Sequence, residues 1–314
     1  MKRRQNENEK IKITIIGMGA LGILYGDLFV KALGKEAVTF LADEERIARY
    51  RRLGVTCNGE PCTFQMSGRA QESDLVIFAV KGPDLDGALE LAGEAVGEET
   101  IILSLLNGIS SEEILEQRMK KGCVIHCIAQ GMDAVKLGNA LTYSHKGELR
   151  IGTPDAGKKP CLQRAGEILK AAGIPFVTEE DILHRLWGKW MLNVGVNQVV
   201  MVTEGTYGTI QRPGGARDMM LAAMEEGRRL SDLAGTGVTR EDLEAYVELV
   251  DSLNPDGMPS MRQDGIARRY SEVEFFAGTV LRKADEYGME APVNRQLYDR
   301  IKAIEAGYDE RLIT

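Results

Sequence analysis

A chain of 314 residues, 44% apolar and 27% charged, has the make-up of a globular protein large enough for two domains. Its formal net charge of −8 speaks against a nucleic-acid partner, and no apolar run reaches membrane-spanning length. The five cysteines (Cys57, Cys62, Cys123, Cys127, Cys161) and three histidines (His126, His145, His184) follow no metal-ligand spacing, so reduced thiols, structural histidines and no metal are expected.

Residues 1–10, MKRRQNENEK, are charged and lack the apolar core of a signal peptide, and are expected to form a disordered extension of a cytoplasmic protein. Residues 11–16, IKITII, predict a short buried strand. It runs into Gly17-Met18-Gly19-Ala20-Leu21-Gly22, followed by a helical pattern through Leu24, Leu28 and Ala32. This is a G-x-G-x-x-G between strand and helix. The first glycine permits the tight turn, the second lets the backbone approach a pyrophosphate, and the third lets helix and strand pack closely. A second strand, residues 37–41, ends near Asp43, in the place where an acid bonds the ribose 2′-hydroxyl of NAD. Arg46, just beyond, keeps NADP open, since an arginine there pairs with a 2′-phosphate.

Strands predicted at 74–80 and 100–106 alternate with helices at 85–95 and 111–120, the pattern of a doubly wound, mainly parallel α/β sheet. Ligands bind beyond the C-terminal strand ends of such sheets. Lys81 follows one of these strands and Asn107-Gly108 the other. Strands at 124–128 and 141–151, a helix at 161–172 and a strand at 174–177 complete a Rossmann dinucleotide-binding domain over 11–178.

From 179 to 314 the pattern is all helical, the second domain. Residues 186–202, LWGKWMLNVGVNQVVMV, are apolar nearly all round and belong in an interior. Yet Lys189, Asn193 and Asn197 fall at i, i+4 and i+8, one stripe along one face. The stripe is either the wet side of the helix or the lining of a polar cleft. Further helices are expected at 218–234, 240–253, 260–287 and 294–307, with Ser260 as a helix cap and Glu272 three turns along the same helix.

Taken in order, Gly17-x-Gly19-Ala20-Leu21-Gly22, Val80-Lys81, Asn107-Gly108, Trp187-x-Lys189-x-x-x-Asn193-x-x-x-Asn197, Pro259-Ser260-Met261-x-Gln263-Asp264, Ser271-Glu272-Val273-Glu274, Gly288 and Pro292-x-Asn294 resemble the ketopantoate reductase (2-dehydropantoate 2-reductase) family. The resemblance implies an N-terminal Rossmann domain and an all-α domain similar to that of phosphogluconate dehydrogenase. It implies an oxidoreductase of pantothenate biosynthesis, with hydride passing from NAD(P)H to the ketone of a 2-oxo acid in the cleft between the domains. Lys189 matches the general acid, with Glu272 assisting. Asn193, Asn197 and Ser260 match substrate contacts, and Asn107 a residue near both substrate and cofactor. Gly17, Met18, Gly19, Ala20, Leu21, Gly22, Asp43, Lys81, Ala134 and Glu272 fall on the cofactor side. The family suggests NADP, whereas Asp43 leans toward NAD. Desolvation on an apolar helix is expected to ease proton release from Lys189, and a nearby Glu272 to oppose it. Residues 198–201 read Gln-Val-Val-Met in place of the usual Pro-Leu-Thr-Ala, a departure that could reshape the pocket. Two other readings stay open: a related two-domain dehydrogenase for another 2-oxo acid or an opine-type substrate, and a nucleotide sensor without turnover. The expected partner is a small 2-oxo acid, and a homodimer is left open.

Overall fold

The computed structural model describes residues 11–309; the charged extension expected over 1–10 lies outside them. The chain forms two compact units, one of residues up to Leu106 with Ser111–Ile182, the other of Asn107–Ser110 with Leu183 onwards.

The first unit contains β1 (Ile13–Ile16), α1 (Ala20–Leu33), β2 (Val38–Leu41), α2 (Glu44–Leu53), β3 (Thr56–Cys57), β4 (Glu60–Pro61), β5 (Gln65–Ser67), β6 (Leu75–Phe78) and α3 (Leu85–Ala92). It continues through β7 (Ile101–Ser104), α4 (Ser111–Arg118), β8 (Cys123–Met132), β9 (Val135–Leu137), β10 (Ala140–Thr142), β11 (Lys146–Gly152), α5 (Lys159–Ala171) and β12 (Phe176–Thr178). Eight strands form one sheet in the order β12-β11-β8-β7-β6-β1-β2-β5. All pairs are parallel except β11 with β8. Every residue of β1, β6 and β7 is buried, which is why these strands read as unbroken apolar runs rather than alternating ones. β1 pairs with β2 on one side and β6 on the other, so the strand order reverses there, the place where ligands bind in open α/β sheets.

A second sheet of four strands, β4-β3-β10-β9, was not expected from the pattern. Its strands are two or three residues long, too short for a period of two to show. The run expected at 141–151 divides into β10 and β11 because the Asp133 carboxylate accepts the N–H groups of Ser144 (2.9 Å) and His145 (2.7 Å), fixing a turn between them. All five cysteines are free thiols.

The second unit is helical: α6 (Ile182–Val202), α7 (Tyr207–Gln211), α8 (Gly215–Leu233), α9 (Arg240–Ser252), α10 (Ser260–Ile266), α11 (Ala277–Tyr287) and α12 (Pro292–Asp309). α6 is its central column, with Trp190, Met191, Val194, Val199, Val200 and Met201 at 1% exposure or less. A Cβ on Gly195 would lie 2.4 Å from Met224 Cγ and 2.9 Å from the Met220 carbonyl, so glycine there lets α8 lie close against α6. No helix among the described residues is long and apolar enough to cross a membrane.

The single helix expected over 260–287 is broken. α10 stops at Ile266, Arg268 takes a left-handed φ of 51°, and a one-turn 3₁₀ helix over Val273–Phe275 precedes α11. The break is held by Glu305, whose buried carboxylate accepts the Ser271 N–H (2.7 Å) and hydroxyl (2.6 Å). Ser260 and Glu272 therefore do not share a helix. Nor is Ser260 a cap: Pro259 holds the cap position and Ser260 is the first helical residue.

Candidate active site

At the end of β1 the chain turns on Gly17, whose φ of 105° strains any side chain and whose Cβ would lie 2.5 Å from the Ala79 carbonyl. A Cβ on Gly22 would lie 1.9 Å from the Gly17 carbonyl, so α1 can start here only with glycine at that position. Gly19 differs from both. Its φ is −72°, and a Cβ would meet nothing nearer than the Ala79 carbonyl at 3.5 Å. The protein itself does not demand a glycine there. α1 also begins with no capping side chain and no acid in its first turn, so the N–H groups of Ala20, Leu21 and Gly22 face the turn without a side-chain acceptor. Bare N–H groups at a helix start, with space kept in front of them, fit the pyrophosphate of a dinucleotide. Met18 is buried and packs into the core below.

Asp43 is the N-cap of α2: its Oδ1 accepts the Arg46 backbone N–H at 2.7 Å. Its other oxygen lies 3.4 Å from Arg46 Nε, and Asp84 Oδ1 lies 3.6 Å from Arg46 Nη2. The Arg46 guanidinium thus stands between two carboxylates, all three side chains about half exposed. Lys81 follows β6 at the start of a 3₁₀ turn, and Ala134 lies just past the C-terminal end of β8.

In the helical unit, α6 carries Lys189, Asn193 and Asn197 along one face over about 12 Å. The ammonium of Lys189 donates to Asn107 Oδ1 at 3.2 Å, and Asn107 Nδ2 donates to Glu272 Oε2 at 3.0 Å. An ammonium only donates and a carboxylate only accepts, so just one orientation of the Asn107 amide serves both. Further along the face, Asn197 Nδ2 donates to Asn193 Oδ1 at 3.1 Å. Asn197 Oδ1 accepts from the Ser260 hydroxyl (3.3 Å) and the Met261 backbone N–H (3.2 Å). Asn197 is 6% and Glu272 8% exposed, while Ser260 stands exposed. The stripe is therefore not merely the wet side of a helix. Lys189, Asn107 and Glu272 form one bonded chain, and Asn193, Asn197 and Ser260 a second beside it.

Three supports of this site are not visible in the sequence pattern. Trp190 Nε1 donates to the Phe275 carbonyl at 2.9 Å. Gln198, fully buried, accepts the Ala277 N–H at 3.0 Å and donates to the Val194 carbonyl (2.7 Å) and Asn294 Oδ1 (3.1 Å). Asn294 and the N-terminus of α12 are held in turn by Glu226. Trp190 and Gln198 sit in an apolar run, and only their unused polar atoms, which burial obliges to find partners, hinted at these bonds.

A glycine turn on a Rossmann sheet, with a lysine-headed polar chain in a helical unit, is the build of a dinucleotide-dependent oxidoreductase. The sequence profile described as ketopantoate reductase PanE/ApbA matches residues 13–156, and the profile of that reductase's C-terminal part matches residues 181–305. The chain belongs to the ketopantoate reductase family. It is 24% identical over 299 residues to the 2-dehydropantoate 2-reductase of Archaeoglobus fulgidus, an alignment covering 94% of this chain and 98% of that one. Its fold is similar to that of the PanE/ApbA family ketopantoate reductase from Ralstonia eutropha JMP134, with a TM-score of 0.83, 24% identity, and 95% and 100% of the two chains covered. It is similar too to that of D-mandelate dehydrogenase in complex with NADH, with a TM-score of 0.85, 20% identity, and 95% and 100% covered.

Proposed function

We propose that the protein reduces the ketone of 2-dehydropantoate to the alcohol of pantoate with NAD(P)H, a step of pantothenate biosynthesis. The observation that carries this reading is the bonded chain Glu272–Asn107–Lys189. A nicotinamide dinucleotide held on the glycine turn would supply the hydride for the ketone. Lys189 supplies the proton: its ammonium stabilises the negative oxygen as it develops and then protonates it. Asn107 aims the ammonium through its carbonyl oxygen, and Glu272 fixes the Asn107 amide from the other side. Asn193 offers an amide that both donates and accepts, and Asn197, its oxygen taken by Ser260 and Met261, keeps one N–H to donate. These suit the hydroxyl and carboxylate of a hydroxy-oxo acid, with the exposed Ser260 hydroxyl at the carboxylate end. On the nucleotide side, the N–H groups of Ala20, Leu21 and Gly22 take the pyrophosphate, and Lys81 and Ala134 lie along the cofactor. Pairing of Arg46 with both Asp43 and Asp84 supports NADH over NADPH, since a guanidinium already engaged by two carboxylates is less available to a 2′-phosphate.

The departure at Gln198-Val199-Val200-Met201 does not argue for a different substrate. All four residues are at 1% exposure or less, and the Gln198 side chain is consumed by Val194, Ala277 and Asn294. These residues form the packing behind the polar face rather than the face itself. The test is initial rates across a panel of 2-oxo acids with each nucleotide. Ketopantoate is expected to give the highest kcat/KM, with NADH ahead of NADPH. A bulkier aryl or unbranched oxo acid winning by tenfold or more would move the assignment to another member of the same reaction class.

A further inference from the structure

The buried side of α6 makes two hydrogen bonds to one short segment, the 3₁₀ turn over Val273–Phe275 and the first residue of α11. Trp190 Nε1 reaches the Phe275 carbonyl (2.9 Å) and Gln198 Oε1 accepts the Ala277 N–H (3.0 Å), so residues 272–277 are held at two points from a single helix. Glu305 holds the segment's other end through Ser271. This segment carries Glu272. It also seats Asn107's neighbour: a Cβ on Gly108 would lie 3.2 Å from Phe275 Cδ1, so the Asn107–Gly108 backbone rests on the Phe275 ring. Lys189 precedes Trp190 by one residue and points to a different face of α6. One helix thus presents the ammonium on one side and, from its other side, sets the carboxylate and amide that meet it. Gln198 is the more telling of the two, because it is fully buried and holds the segment through a side-chain oxygen that accepts the Ala277 N–H.

We propose that Trp190 and Gln198 are positioning residues, fixing Glu272 and Asn107 against Lys189 through the 272–277 segment. The proposal rests on the reading of Lys189 as the proton donor. Displacing the segment misaligns the Asn107 bridge without touching the nucleotide turn. The test uses the full chain with Trp190→Phe, which deletes the N–H along with three heavy atoms of the buried ring, and Gln198→Met, which keeps length and removes both polar atoms. In each, kcat with the preferred oxo acid is expected to fall about ten- to hundredfold. The pH profile of kcat is expected to move, and nucleotide affinity measured by fluorescence to stay within about twofold, well under the tenfold that 1.4 kcal/mol would bring. A lower melting temperature with wild-type kcat per folded enzyme and an unmoved pH profile would overturn the proposal. If Gln198→Met does not fold, Trp190→Phe alone decides. Retained turnover in Lys189→Ala would instead sink the underlying reading, whatever these two variants do.

Discussion

On the proposed function, the two units build their binding features from opposite materials. At the Gly17–Gly22 turn the working groups are backbone N–H groups and empty space, and the sequence is defined by side chains that are missing. In the helical unit the working groups are side chains, gathered from Asn107, α6, Ser260 and Glu272. A backbone site tolerates exchange of its side chains but no added atom. A side-chain site tolerates added atoms nearby but no change of donor or acceptor.

That contrast is sharpest at Gly19 and Gly22, one turn of chain apart in the same motif. Gly22→Ala places a methyl 1.9 Å from the Gly17 carbonyl, and is expected to lower stability by about 3 kcal/mol or more and abolish nucleotide binding. Gly19→Ala meets only an ordinary 3.5 Å contact, so the fold is expected to survive while the methyl intrudes on the pyrophosphate. Its melting temperature should stay near wild type, with nucleotide affinity reduced at least about tenfold, roughly 1.4 kcal/mol. Thermal melts and a nucleotide titration on the pair check this. Equal loss of stability in both variants would erase the distinction between a packing glycine and a binding one.

The ribose end mixes the two materials and should respond more mildly. Asp43→Arg removes a carboxylate from Arg46 and adds a second guanidinium, so the NADPH-to-NADH ratio of kcat/KM is expected to rise about tenfold. The same change deletes the α2 cap, at a cost of about 1 kcal/mol in stability. An unchanged nucleotide ratio would place the ribose elsewhere.

An effect on stability alone, with no expected change in binding or turnover, concerns a side chain in the Rossmann unit that takes no part in either site. Glu112 is fully buried, accepts from Ser111 Oγ (2.8 Å) and the Cys127 N–H (3.4 Å), and burial pushes its carboxyl up from 4.5 to about 7. Because the folded-state value is raised, Glu112 keeps its proton in the folded state over a range where the unfolded chain has lost it. Its contribution to stability is therefore complete below about pH 4.5 and lost as pH rises to about 7. Glu112→Gln keeps the shape without the ionisation, and should be the more stable form at pH 8 by up to about 3 kcal/mol. Denaturant melts of both proteins at pH 5 and pH 8 check the sign; a gap that does not widen with pH contradicts it.

How much of this was legible in the sequence follows from the same contrast. The glycine turn is local: strand, three glycines and helix lie within one short stretch, and Gly17 and Gly22 each have a steric reason of their own. The stripe on α6 was legible as spacing, but its meaning was not. Asn107 and Glu272 reach Lys189 only through the fold, and only resemblance to a family joined them in advance. Glu272 was assigned to a continuous helix because its neighbours carry helical periodicity. The pull of Glu305 on Ser271, which breaks that helix, comes from a residue far along the chain. Gln198 looked like a disturbance of the pocket because its character is polar in an apolar run. Only its three partners show it to be part of the support.

The central claim is that one ammonium, aimed by an amide and a carboxylate, delivers the proton, while the nucleotide is held apart from it, its pyrophosphate on the glycine turn. Lys189→Ala tests it most directly, with nucleotide affinity and turnover of ketopantoate measured on the same sample. Turnover is expected to drop by about 10² to 10⁴, the usual worth of a positioned acid, with nucleotide affinity nearly unchanged. Turnover close to wild type, or loss of nucleotide binding in step with it, would contradict the account.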